Sequence, residues 1–234
     1  MHDQKKWDEA LLKKNFIPIF DYWPYVEKIE NLTQFLNKNR MSKIQTILEY
    51  QGLAARTCPS LGTEKVLDER HMNLGVVTEI GEALDIFKKF LAYKKPMDIV
   101  NLGEELADIA WYIVNKCRFH EVPLEEDFNL VVEEIGTVIK EGMFTEAELP
   151  LELKAEALLT VVLMTYCGPT NNMFNAPIIQ LAVLANIAQF YDLDFFQCLT
   201  NNIDKLKVRY PEKFTEEAAQ NRDLEAERAE LEKE

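Results

Sequence analysis

The segment from His71 to Phe90, HMNLGVVTEIGEALDIFKKF, decides the fold class. Val76, Ala83, Ile86 and Phe90 recur at the spacing of one helical face, and Glu79 stands on that same apolar line. Glu82 follows three residues later, so a helix points both carboxylates to one side, with Cβ atoms ~5–6 Å apart. The segment from Asn101 to Tyr112, NLGEELADIAWY, repeats the arrangement: Glu105 falls in line with Leu102, Ile109 and Tyr112, and Asp108 follows three residues on. Two facing helices of this kind bring four carboxylates into one pocket. A carboxylate set in an apolar stripe has to be paired, protonated or bound to a cation, and four together are costly unless a cation fills the space.

Working outward, helical periodicity continues along the chain, glycine is sparse, and prolines and some glycines mark connections such as Pro59 to Gly62, Lys95-Pro96, Pro123, Pro150 and Gly168-Pro169. The pattern predicts helices near 25–38, 42–57, 66–92, 98–118, 124–141, 151–166, 174–190, 195–208 and 215–232, with no convincing strand. The expected fold is therefore an all-α helical bundle. Residues 1–40, which carry Trp7, Phe16, Phe20, Tyr22, Trp23 and Tyr25, read as an N-terminal extension or interface element. Residues 41–212 form the main helical domain, and 213–234 a charged, solvated C-terminal helix.

A faint repeat runs inside the main domain. Val76-Val77-Thr78-Glu79-Ile80-Gly81 recurs as Val131-Val132-Glu133-Glu134-Ile135-Gly136. A later apolar segment, ending at Asp194, parallels the one that ends at Pro123, with Ala176 and Ile179 standing where Glu105 and Asp108 stand. Two readings of 129–194 are open: a degenerate second repeat that has lost its acids, or an insertion whose likeness comes from amphipathic helices in general.

Composition narrows the function. With 234 residues, 47% of them hydrophobic, the chain can build a substantial core. A net charge of −14 argues against a nucleic-acid partner, which calls for a basic surface. No apolar run reaches the ~20 residues of a membrane-spanning helix, so no membrane partner is expected. Cys58, Cys117, Cys167 and Cys198 are scattered, and Met1 to Lys14 lacks an apolar leader, so a reduced, cytoplasmic protein is expected.

An all-carboxylate ligand set selects a hard cation, Mg²⁺ or alternatively Mn²⁺, over zinc. A di-iron bundle would need Glu-x-x-His on two helices, and His2, His71 and His120 supply none. One Glu-x-x-Glu among 40 acidic residues is ordinarily a solvated helix face. Two such pairs in apolar stripes carry more weight.

The chain resembles the MazG-like all-α nucleoside triphosphate pyrophosphohydrolases, particularly the compact phage-type form. The resemblance rests on Glu49-Tyr50-Gln51, Ala55-Arg56-Thr57, His71 to Glu82, Tyr93 to Pro96, Asn101 to Tyr112, and the segment from Asn202 to Arg228. It departs at Ala107, where a glycine is frequent, and in the long insertion before Asn202.

What the resemblance implies is Mg²⁺-dependent cleavage of a (d)NTP between the α and β phosphates, giving the monophosphate and pyrophosphate. Glu79, Glu82, Glu105 and Asp108 would hold the metal and carry catalysis. Asn202, Lys205, Arg209 and Tyr210 would approach the triphosphate, the first three sharing a helix face by spacing. Gln51 and Arg56 are further substrate-binding candidates. Trp111, with Tyr112, is either a wall for the base or core. Lys88, Lys89, Lys94 and Lys95 are either phosphate contacts or a solvated helix end. A homo-oligomer, dimer or tetramer, is expected by the same resemblance, in the host cytoplasm if the chain is phage-encoded. The rival reading is a non-catalytic helical regulator that binds a nucleotide or a protein partner.

Overall fold

The computed structural model describes residues 43–59, 65–124, 127–144, 149–167 and 176–232. Within them the fold is all-α, as the periodicity predicts, and the described residues contain no strand. The elements are α1 (Ile47–Ala55), α2 (Lys65–Tyr93), α3 (Ile99–Phe119), α4 (Phe128–Val138) with a π-helical turn at Ile139–Met143, α5 (Leu151–Cys167), α6 (Pro177–Phe190), α7 (Phe195–Arg209), α8 (Glu216–Gln220) and α9 (Leu224–Leu231). The expected helix near 25–38 and the N-terminal extension 1–40 lie outside the described residues.

Short polar side chains set where the helices begin. Thr46 accepts from the Glu49 amide at 3.1 Å while Glu49 Oε2 accepts from the Gln45 amide at 2.9 Å, a reciprocal cap that starts α1 five residues later than the apolar pattern alone predicts. Asp98, Asp127, Asp194 and Asp223 cap α3, α4, α7 and α9, each accepting from the amide three residues on. Asp223 also explains a correction: the single helix expected over 215–232 breaks into α8 and α9, because an Asp placed to accept from the Ala226 amide starts a new helix.

Helix α3 is the centre of the bundle. It packs on α2 along its length and also meets α1, α6 and α7. Leu102, Leu106, Ala107, Ile109, Ala110 and Val114 are completely buried. Small residues allow close approach on the α2 side, where a Cβ on Gly75 would come within 2.1 Å of the Tyr112 ring. The remaining core lies between α4, α5 and α6, around Leu158, Leu159, Leu181 and Leu184.

Some local features of α3 and α6 are alike, although a left-handed residue also ends α2, at Lys94 (φ 55°). Helix α4 packs on α6 as α2 packs on α3. Helices α3 and α6 end alike: Glu121 (φ 54°) and Asp192 (φ 55°), 71 positions apart, both adopt the left-handed conformation. Behind them the Val122 amide donates to the Cys117 carbonyl at 2.9 Å and the Leu193 amide to the Ala188 carbonyl at 3.0 Å. At the same spacing, Asn115 and Asn186 each donate back one turn, to the carbonyls of Trp111 and Ala182. Ala176 and Ile179 sit 71 positions after Glu105 and Asp108, so the α6 side carries no acids at those positions. Among the described residues, no helix is long and apolar enough to cross a membrane.

Candidate metal and phosphate site

The apolar stripe of α2 and that of α3 face each other, and the acids embedded in them meet near the middle of both helices. Glu79 comes from α2, Glu105 and Asp108 from α3, and one carboxylate oxygen of each lies within 4.8 Å of the other two. Their cavity, of about 240 Å³, is lined by Glu79, Glu82, Glu104, Glu105 and Asp108 on one side. Trp111, Tyr112, His71, Tyr210 and Phe214 form an aromatic wall, and Arg209 and Arg222 a basic edge. Glu82 lines the pocket but is exposed, so three acids converge while the fourth stands at the rim.

Burial and crowding leave this cluster short of full ionisation. Burial first, then the charges of Asp108 and Glu82, pushes the Glu79 carboxyl up to about 7, although Lys205 and a hydrogen bond with Glu105 act the other way. Glu105, 5% exposed, is pushed up to about 9 by burial, followed by the charges of Asp108, Glu82, Glu79 and Glu104. The donor set is carboxylate oxygen throughout, which fits Mg²⁺ or Mn²⁺.

Asp108 is the best supported of the acids. Lys205 Nζ donates to Asp108 Oδ2 at 2.6 Å and to Glu104 Oε1 at 3.1 Å, while Asn202 Nδ2 donates to Asp108 Oδ1 at 2.5 Å. Burial alone would lower the Lys205 pKa, but Asp108 and Glu104 outweigh it and the pKa rises, so the ammonium stays charged. Behind it, Tyr50 Oη lies 3.0 Å from both Asn202 Oδ1 and the Ala107 carbonyl, linking α1, α3 and α7 around one carboxylate.

The residues carried over as substrate contacts therefore divide. Arg209, Tyr210 and Trp111 line the cavity. Trp111 is also anchored, its Nε1 donating to Thr57 Oγ1 at 3.1 Å, so wall and core are the same residue. Asn202 and Lys205, 0% and 2% exposed, face carboxylates and not open space. Gln51 is buried and donates to the Val114 carbonyl at 2.9 Å, fastening α1 to α3. Arg56 Nη1 donates to the carbonyls of Tyr210, Pro211 and Glu212 at 2.9–3.1 Å, which fixes the turn presenting Tyr210 and Phe214. In this structure Gln51, Asn202 and Lys205 meet internal partners and frame the site, whereas Arg56 is held by Nη1 alone, its Nε and Nη2 being buried without a hydrogen-bond partner. Lys88 and Lys89 pair with Asp85 on the exposed face of α2, and Lys94 caps the Leu91 carbonyl.

Glu104, His71, Arg222 and Phe214 are among the pocket residues that the sequence reading did not single out. Glu104 adjoins Glu105 but lies off the three-residue spacing that marked the others. His71, edge-on to Tyr112 with ring centroids 5.7 Å apart, gave no signal beyond its place in the motif. Arg222 and Phe214 lie in loops after α7, where periodicity says nothing. A further correction concerns the tail: α9 is not solvated on every side. It packs on α7, and Glu227 is 2% exposed, accepting from both Arg209 and Arg222.

Comparison with protein-family models, with curated proteins and with solved structures gives no match for this chain.

Proposed function

We propose that the protein is a Mg²⁺-dependent nucleoside triphosphate pyrophosphohydrolase, cleaving a (d)NTP between the α and β phosphates to the monophosphate and pyrophosphate. The observation that carries the reading is the convergence of Glu79, Glu105 and Asp108 within 4.8 Å in a cavity that also bears an aromatic wall and two arginines. A hard cation there would neutralise phosphate charge, orient the anhydride and lower the pKa of the attacking water.

Every other part of the chemistry falls to side chains of this chain. Glu79, Glu105 and Asp108 would supply the oxygen ligands of a bound cation. Lys205 and Asn202 hold Asp108 in one orientation, so no rearrangement is needed when substrate arrives. One carboxylate of the cluster, Glu82 at the exposed rim or Glu105, takes the proton of water as it attacks the α phosphorus. Arg209 and Arg222 face the phosphate chain, and pyrophosphate leaves as the Pα–O bond to the β phosphate breaks. Trp111, Tyr112 and Tyr210 offer stacking surface for a base. At about 240 Å³ the cavity is small beside the ~300–1,000 Å³ of typical ligand pockets, which suits the phosphate end of the substrate, with the nucleoside against the aromatic rim.

The test is pyrophosphate release from eight common ribo- and deoxyribonucleoside triphosphates in Mg²⁺, Mn²⁺ or EDTA. Metal-dependent release with a monophosphate product supports the reading. Release of inorganic phosphate with a diphosphate product, or turnover in EDTA, contradicts it.

A further inference from the structure

The C-terminal helix α9 belongs to the site through one side chain. Glu227 is 2% exposed, although α9 is otherwise largely half-buried or exposed. Its carboxylate accepts from Arg209 Nε at 2.9 Å and from Arg209 Nη2, and from Arg222 Nη2 at 2.7 Å with Nε at 3.4 Å. Both guanidiniums line the acidic cavity. One comes from the last residue of α7 and the other from the link between α8 and α9, so no shared element holds them together.

Two guanidiniums side by side repel each other and would separate into solvent. A buried carboxylate shared between them removes that repulsion and fixes both planes, since each arginine gives Glu227 the edge formed by Nε and Nη2. Each guanidinium has five N–H donors, so both retain donor capacity after this pairing. The arrangement is a basic edge beside a carboxylate cluster, which matches a ligand that is anionic along its length and carries a divalent cation at one end.

We infer that Glu227 is a positioning residue, holding Arg209 and Arg222 as a paired clamp for the phosphate chain of the substrate. This rests on the phosphate chemistry proposed above but does not require turnover. The clamp makes the C-terminal helix a functional element: Glu227 touches no substrate and acts through the two arginines.

Inorganic tripolyphosphate is the probe, because it presents the chain without a base. Calorimetric titration of the full chain in Mg²⁺ is expected to show binding by wild type, at least tenfold weaker binding by Glu227→Gln, and partial recovery by Glu227→Asp. In turnover, Glu227→Gln is expected to raise KM at least tenfold and alter kcat less than threefold, a split that general loosening of the fold would not produce. Should Glu227→Gln fail to fold, Arg222→Gln leaves the Arg209–Glu227 pair intact and is expected to weaken tripolyphosphate about fivefold. Tripolyphosphate affinity within twofold of wild type in folded Glu227→Gln or in Arg222→Gln overturns the clamp, as does a wild type that binds no tripolyphosphate. A wild type that binds tripolyphosphate through these residues yet releases no pyrophosphate from any nucleotide keeps the clamp and removes the hydrolase.

Discussion

Lys205 Nζ lies 2.6 Å from Asp108 Oδ2 although the lysine side chain is only 2% exposed. A buried ammonium is tolerated when its partners are charged and close, and Glu104 completes the set at 3.1 Å. The consequence is an asymmetry within the acid cluster: Asp108 has a permanent counter-charge, whereas Glu79 and Glu105 are pushed up to about 7 and about 9.

Lys205→Met removes that counter-charge and leaves two carboxylates facing a methionine. Breaking a buried pair by removing one member costs about 3–5 kcal/mol, so urea denaturation in EDTA should show a loss of this order. Added Mg²⁺ should recover part of it, because the cation replaces the missing positive charge.

Asymmetry also separates two charge-neutral variants. Glu79→Gln relieves repulsion and is expected to abolish turnover while the metal-free protein becomes no less stable. Asp108→Asn also abolishes turnover, but it takes a partner from Lys205 and presents an amide to Asn202, so thermal melting should report a destabilised protein. Equal melting temperatures for the two would count against the pairing described here.

The pH dependence runs opposite to that of an ordinary ion-paired acid. Glu79 and Glu105 bind protons more tightly folded than unfolded, where carboxyls titrate near 4.3. The folded state therefore holds more protons between that value and about 7 for Glu79 or about 9 for Glu105. The stability they contribute is full at pH below ~4.3 and is lost as pH rises through their folded values. Metal-free protein should lose stability from pH 5 to 9, an effect that saturating Mg²⁺ should reduce, and Mg²⁺ affinity should rise over the same range as protons leave the ligands.

Gly75→Ala tests the aromatic wall without touching an acid. Its Cβ would stand 2.1–2.3 Å from Tyr112 ring atoms, and that ring is flanked edge-on by His71 and Trp111. Overpacking of this kind costs about 1–3 kcal/mol. Melting should drop accordingly, and nucleotide affinity should weaken more than tripolyphosphate affinity, since the displaced ring lies on the side offered to the base.

The helices and the convergence of three of the four acids were legible because both depend on spacing along one element. Glu79 and Glu105 advertised themselves by standing in apolar stripes, and α2, α3, α6 and α7 came within three residues of their observed bounds. What spacing cannot supply is the partner across the bundle. Asn202 and Lys205 share a face with Arg209, yet the first two meet Asp108 and the third lines open space, a division set by how α7 leans on α3. Glu227 looked like one acid of a solvated, charged tail. Its burial comes from two arginines that the chain brings to it from elsewhere, and nothing in its own periodicity marks it.

The most direct test of the central claim is a single-turnover reaction of excess wild-type protein with its best nucleoside triphosphate, run beside Glu79→Gln, in Mg²⁺ and in EDTA. The expected result is equimolar monophosphate and pyrophosphate from wild type in Mg²⁺, with neither product from Glu79→Gln or in EDTA. Equal product from Glu79→Gln, or from wild type in EDTA, would contradict a metal site built on Glu79, Glu105 and Asp108.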